Sequence, residues 1–165
     1  MGQLIQNNQT LLLNSIIGDY TRNGYDFPKS RILLAKSLAS RIPACERLEG
    51  LPDGDIITVW RGDSTDDDSQ AAKMRSAVSW TTDLSVAVWF ADRIHKPNTP
   101  NGLGAVWQAQ ISREDIIAFT QEREESEVLQ FGDVIDPHII VIHPLDWDTL
   151  LRKRIDHCRK SLGLL

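Results

Sequence analysis

The apolar positions of this chain follow two periodicities, helical over the first third and strand-like after it. Leu12, Ile16 and Tyr20 recur every four residues with Leu13 and Ile17 beside them, which gives one face of a helix an apolar stripe. Asn23-Gly24 ends that pattern with a turn signal. Pro28 and Ser30 open a second helix whose stripe is Ile32, Ala35, Leu38 and Ile42, and Pro43 stops it. Both helices are expected to pack on a later sheet. Gly50 to Asp55 is rich in turn residues and links the helices to the rest of the chain.

Beyond the linker the runs shorten. Ile56-Ile57-Thr58-Val59-Trp60 is β-branched and aromatic, a strand that ends at Arg61-Gly62-Asp63. A short helix is expected around Ala71 to Arg75, then a second strand over Ala77 to Thr81 with Ser79 and Thr81 on one face. Thr82 or Asp83 caps a helix with Val86, Ala87, Phe90, Ala91 and Ile94 on its apolar side. His95 to Gly104 reads as loop. Ala105 to Ile111 alternates as a half-buried strand, Ser112 opens a single helical turn, and Ile116 to Phe119 is a short strand. Val128 to Phe131 is a further apolar strand, Ile139 to Ile142 a last buried strand, and Asp146 caps a C-terminal helix with Leu150, Leu151, Ile155 and Cys158 inward. Helices first, then short strands with helices between, predict an α+β fold with a mostly antiparallel sheet, split or sandwiched. No Gly-rich phosphate loop follows a strand, so a doubly wound nucleotide fold is not expected.

Composition narrows the function more than the fold. The 165 residues suit one domain: a helical part over 1–50, a β-core over 51–145 and a C-terminal helix over 146–165. A net charge of −5 argues against bulk electrostatic binding to nucleic acid or to an anionic membrane. No apolar run is long enough to span a bilayer, and the first residues lack the basic-then-apolar order of a secretory signal. A cytoplasmic location is the expectation, with delivery into another cell by a signal-independent route left open. Cys45 and Cys158 are far apart, and His95, His138, His143 and His157 are not grouped at ligand spacing, so no metal is expected.

Chemistry concentrates at three strand ends. Glu125 and Glu127 lie two residues apart and run into an apolar segment, so a strand there would put both on one side. Like charges held together repel, which makes the pair a candidate for stabilising a cation. Alone, it reads first as a solvated acidic turn, because Glu122, Arg123 and Glu124 crowd beside it. Arg61 alone reads as a surface arginine, and Ser79 and Thr81 as ordinary polar strand residues. Arg61-Gly62-Asp63 also spells an integrin-binding tripeptide, discounted because nothing else points outside the cell.

In combination, Val59-Trp60-Arg61-Gly62, Ser79-Trp80-Thr81-Thr82 and Glu125-Ser126-Glu127-Val128-Leu129 resemble the Arg–Ser–Glu clade of mono-ADP-ribosyltransferases. That clade includes toxins and phage enzymes that modify arginine. The resemblance covers about Ile56 to Phe131; the N-terminal helices and the C-terminal tail lie outside it. Trp60 stands where the family has tyrosine, and Ser79-Trp80-Thr81 where it has Ser-Thr-Ser, the first position being kept. Trp80 is expected on the opposite face, in the core. The short motif spacing implies a compact version of the ADP-ribosyltransferase-like split β-sandwich.

The resemblance implies transfer of ADP-ribose from NAD, as co-substrate, to a side chain of an unidentified acceptor protein, with release of nicotinamide. It assigns Glu127 to the ribose and its cationic transition state, and Glu125 to the acceptor, arginine being the acceptor that goes with Glu at that position. Arg61 would grip the phosphate or ribose region of NAD, the Gly62 backbone would approach the nicotinamide amide, and Ser79, supported by Thr81, would position Glu127. Arg93, His95 and Lys96 read as a solvated helix end that lies within reach of the pyrophosphate. A bacterial or phage toxin or effector is the biological type implied. Two rival readings are an NAD glycohydrolase on the same fold and a catalytically silent module binding a nucleotide or a protein.

Overall fold

The computed structural model describes residues 2–23, 28–64, 70–93, 104–121, 125–130 and 132–164. The fold is α+β, with every strand pairing antiparallel. Its helices are α1 (Gly2–Asn23), α2 (Lys29–Ala39), α3 (Ala44–Arg47), α4 (Ala71–Arg75), α5 (Leu84–Arg93) and α6 (Pro144–Ser161). Its strands are β1 (Ile56–Asp63), β2 (Ser79–Thr81), β3 (Ala105–Ser112), β4 (Ile116–Thr120), β5 (Glu127–Gln130) and β6 (Ile135–Ile140). They form one six-stranded sheet in the order β4-β5-β2-β1-β3-β6.

The sheet is unevenly joined. β1 pairs with β3 along its whole length, from Ile56 opposite Ser112 to Asp63 opposite Ala105. β1 and β2 share a single register pair, Trp60 with Thr81. A seam therefore separates β4-β5-β2 from β1-β3-β6, and the predicted site strands meet across it.

Three apolar cores hold this sheet. One face carries Ile57, Val59, Met74, Trp80, Trp107, Ala109, Ile111, Ile116 and Val128. Trp80 and Trp107 are 2% and 0% exposed. An aromatic side chain buries about 150–250 Å², so each contributes roughly 4–6 kcal/mol at the upper bound. Trp80 takes the core position expected of it, and its Nε1 donates to the Ala77 carbonyl at 2.9 Å. The second core joins Leu13 and Ile16 of α1 to Ala35 and Leu38 of α2 and to Ile117 of β4. The N-terminal helices do pack on the sheet, but Leu12 is 46% exposed, so the inward stripe of α1 runs through Leu13 rather than Leu12. The third core sets Ala87, Val88 and Ala91 of α5 against Val106, Trp60 and residues of α6.

α5 connects β2 to β3 and lies over β1, which sits between them. That path brings its backbone onto Gly62: a Cβ there would stand 2.2 Å from the Ala87 carbonyl and 2.4 Å from the Ala91 nitrogen. Only glycine fits.

The sheet edges are blunted. On β4, Arg47 Nη1 donates to the Ile116 carbonyl and, at 3.3 Å, to that of Ile117. Burial lowers the pKa of this guanidinium from its ordinary value. On β6, the positive φ of Asp136 (49°) and the buried Pro137 irregularise the strand.

Several boundaries differ from expectation. β6 starts at Ile135, earlier than the expected buried run Ile139 to Ile142, because pairing with β3 extends back to Gln110, and it ends at Ile140, before the 97% exposed Val141. The cap of α6 is His143, whose Nδ1 accepts from Leu145 N at 3.3 Å, with Pro144 in the first helical position; Asp146 lies inside the first turn. Arg154 is the fully buried residue of α6, whereas Ile155, expected inward, is 37% exposed. Ile94, Phe131 and most of His95 to Gly104 lie outside the described residues. Among the described residues no helix is long and apolar enough to cross a membrane.

Candidate active site

β2 is the common neighbour of the predicted site elements. It pairs with β1 on one side and with β5 on the other, where Thr81 faces Glu127 and Ser79 faces Leu129. Ser79 and Glu127 are half-buried, and Ser79 Oγ donates to Glu127 Oε1 at 2.5 Å. A hydroxyl–carboxylate bond of that length is of the strong, charge-assisted kind. The carboxylate is thereby fixed in direction at the start of its strand. Ser79 and Glu127 thus lie on adjacent strands and are joined directly by this bond.

Arg61 is neither a loose surface arginine nor simply turned to a ligand. Its side chain is 17% exposed; Nη1 donates to the Ser79 carbonyl at 2.7 Å and Nε to Asp63 Oδ2 at 3.3 Å. A guanidinium has five donors in one plane, so these bonds fix its orientation. The bond to the Ser79 carbonyl crosses the β1–β2 seam.

Thr81 departs from its predicted part. It is 6% exposed, and its hydroxyl donates to the Glu125 carbonyl at 2.7 Å while accepting from Asp83 N at 3.0 Å. Its hydroxyl is thus engaged by the scaffold, holding the Glu125 turn. Asp83 caps α5 in turn, accepting from Ser85 N at 2.8 Å and Ser85 Oγ at 2.7 Å.

Glu125 requires a correction. β5 begins at Glu127, so Glu125 precedes the strand. Between the two carboxylates Ser126 has φ of 45°, a left-handed conformation that side chains other than glycine's adopt at a cost. Strand alternation, which would put both carboxylates on one side, does not run through Ser126. The turn is fixed instead by two bonds, Thr81 Oγ1 to the Glu125 carbonyl and Thr82 N to the Ser126 carbonyl at 3.0 Å.

Gly62 also changes meaning. The close approach that glycine permits there is made by the backbone of α5, so packing explains the residue without a ligand. The integrin reading fails on the same geometry, since Gly62 lies within β1 and Asp63 is 6% exposed. Arg93 lies over the Trp89 ring at 4.3 Å from its centroid, exposed at the end of α5. His95 and Lys96 lie outside the described residues.

Comparison with protein-family models, with curated proteins and with solved structures gave no match. The meaning of the site therefore rests on this chain's own geometry and on its three motifs.

Two residues that matter to this geometry have no part in the sequence reading of the site. Asp63 is visible there only inside the tripeptide, although its spacing of two from Arg61 on a strand signals a shared face. Asp83 appears only as a helix cap, and the spacing Thr81-x-Asp83-x-Ser85 is the signal that the cap and the Glu125 turn share one hydrogen-bonded chain. A pocket of about 360 Å³ lined by Ile32, Ser76, Val78, Gly132 and Asp133 includes none of the predicted site residues.

The arrangement has a definite chemical capacity. A carboxylate aimed by a hydroxyl donor presents negative charge without reorganising, which lowers the energy of a cation forming beside it.

Proposed function

We propose that this protein is an NAD-dependent mono-ADP-ribosyltransferase on an ADP-ribosyltransferase-like split core, with arginine as the acceptor. The observation that carries the reading is the 2.5 Å bond from Ser79 Oγ to Glu127 Oε1, with Arg61 holding the same serine's carbonyl. The three motifs are separate in sequence and converge on one serine. The seam between β1 and β2 supports the split core.

NAD fits this set as a substrate. Its nicotinamide ring is cationic and leaves neutral, taking the bonding pair, so departure needs no general acid. The ribose carbon left behind has oxocarbenium character, as in glycoside cleavage. Glu127 faces that charge and holds the ribose 2′-hydroxyl; Ser79 keeps Glu127 in place. Arg61 braces Ser79 and adds positive charge toward the phosphates. Glu125 takes the acceptor: a guanidinium is cationic and a poor nucleophile until a carboxylate orients it and receives its proton. The nitrogen then bonds to the ribose carbon. The reading goes with action in a cytoplasm, that of the producing cell or of a target cell, with no metal required.

The test follows nicotinamide release and acceptor labelling together, using NAD labelled in its ADP-ribose part with a small guanidino compound and with a cell lysate. Wild type is expected to do both. Glu125→Ala is expected to lose labelling and keep NAD hydrolysis. Nicotinamide release from wild type without any labelled acceptor identifies a glycohydrolase. No release at all overturns the enzyme and leaves a binding module.

A further inference from the structure

The register Trp60–Thr81, continued one step along each strand's own alternation, would pair Gly62 with Ser79. That rung is not formed. The Ser79 carbonyl receives Arg61 Nη1 instead, at 2.7 Å. A side chain meets a strand carbonyl at the point where the two halves of the sheet part. A backbone rung is aimed by the chain itself, whereas a long arginine has to be aimed by something else.

Asp63 supplies that direction. It follows Arg61 by two residues in β1, so both side chains leave the strand on one face. Its Oδ2 accepts from Arg61 Nε at 3.3 Å, with the two side chains 9% and 17% exposed. The guanidinium is planar, so fixing Nε fixes the line along which Nη1 points. Desolvation strengthens a charge pair of this kind and makes removal of one partner consequential. The contacts run in series: Asp63 to Arg61, Arg61 to the Ser79 carbonyl, Ser79 Oγ to Glu127.

We infer that Asp63 is a positioning residue for Glu127, acting through Arg61 and Ser79; the kinetic consequence rests on the transferase reading, the structural one does not. Neutralising the charge of Arg61 alone would be a different role, and it predicts a change in stability without a change in the site.

Two measurements on the full chain decide between them: the kinetics of nicotinamide release, and amide hydrogen exchange along β2 and β3. Asp63→Ala removes the acceptor; Asp63→Asn keeps the shape and weakens the bond, and serves if the alanine variant does not fold. With Asp63→Ala, kcat is expected to fall about 10- to 100-fold with KM within about threefold, since small misplacements at a reacting centre cost on that order. The loss should shrink to under about twofold in a Ser79→Ala background, because the pathway is already cut there. Amides of Ser79 to Thr81 should exchange about tenfold faster or more while those of Trp107 to Ala109 hold. A kcat within twofold of wild type, or a loss fully additive with Ser79→Ala, overturns the positioning role. Faster exchange in β2 at unchanged kcat does so too, leaving Asp63 a scaffold residue. If wild type releases no nicotinamide, the transferase reading fails on its own, and exchange in β2 alone decides whether Asp63 holds Ser79.

Discussion

The two halves of the sheet are stabilised in different ways. In β1-β3-β6 the backbone ladder between β1 and β3 is continuous, and Val59, Trp107, Ala109 and Ile111 behind it are 0–1% exposed. In β4-β5-β2 the strands beside the seam are short, three residues in β2 and four in β5. There the carbonyls of Ser79 and Glu125 are taken by the side chains of Arg61 and Thr81. Backbone rungs are nearly indifferent to residue type and hold only the backbone. Side-chain bonds depend on residue type and aim a particular group. The candidate site lies where the ladder ends because buried polar atoms there must be met by side chains, and side chains can orient a carboxylate.

Damage to the first half should therefore appear as instability, and damage to the second as lost chemistry. The largest effect is expected from Trp107→Ala. Truncating a fully buried aromatic costs about 3–5 kcal/mol, a large share of the roughly 5–15 kcal/mol that holds a domain folded. Urea unfolding monitored by circular dichroism should show the loss, and whatever protein remains folded should keep its NAD turnover. Next comes Glu127→Gln, which keeps shape and removes the charge that the proposed mechanism sets against the ribose. Nicotinamide release should fall by about 10²–10³, with the unfolding midpoint close to wild type. A Glu127→Gln protein that turns over NAD normally would remove the carboxylate from the mechanism; one that melts early would make it part of the scaffold.

The contrast is partly legible in the sequence. Apolar alternation marks β3 at once, with Trp107, Ala109 and Ile111 on one side, because the buried face of a strand is written in residue type. β6 reads short, since its first half, Ile135 to His138, carries a bulge and a proline that break the pattern. The candidate site is legible as three motifs, and the contact of Ser79 with Glu127 is one that the family resemblance implies. What sequence does not carry is backbone conformation set from a distance. The left-handed Ser126 is held by Thr81 and Thr82, more than forty positions earlier in the chain, as the 44-residue separation of Thr81 from Glu125 shows. Gly62 reads as making room for a ligand, because a glycine makes room without saying for what; the path of α5 decides it.

Gly62 offers a sharper cut, since its neighbour Arg61 belongs to the site and its own space belongs to the core. In Gly62→Ala the new Cβ would meet backbone atoms of α5, which cannot rotate away. Overpacking of this kind costs about 1–3 kcal/mol. Calorimetric melting should record that loss, while the affinity of the folded fraction for NAD, by titration, stays within about twofold on the reasoning that distant or independent effects add. Unchanged stability with weakened NAD binding would return Gly62 to the ligand side and erase the division drawn at β1.

The smallest effect, and the most specific, is expected from Thr81→Val. Valine keeps the β-branched shape at a position 6% exposed, so the strand and its packing survive. The substitution removes one hydroxyl, and with it the donor to the Glu125 carbonyl and the acceptor for Asp83 N. The net value of such a bond is about 0.5–1.5 kcal/mol. The Ser79–Glu127 bond is not touched, so nicotinamide release should stay within about twofold of wild type. Glu125 loses this anchor and Ser126 is freer to leave its left-handed conformation, so the carboxylate that the proposed mechanism assigns to the acceptor is less well placed. The ratio of labelled guanidino compound to released nicotinamide should drop about 2- to 10-fold, the equivalent of that bond energy. Thr81→Ser, which restores the hydroxyl, should restore the ratio. If release and labelling fall together, the Thr81 clamp holds Glu127 as well, and the two carboxylates are positioned as one unit. If neither changes, the bond from Thr82 N to the Ser126 carbonyl holds the turn without help from Thr81.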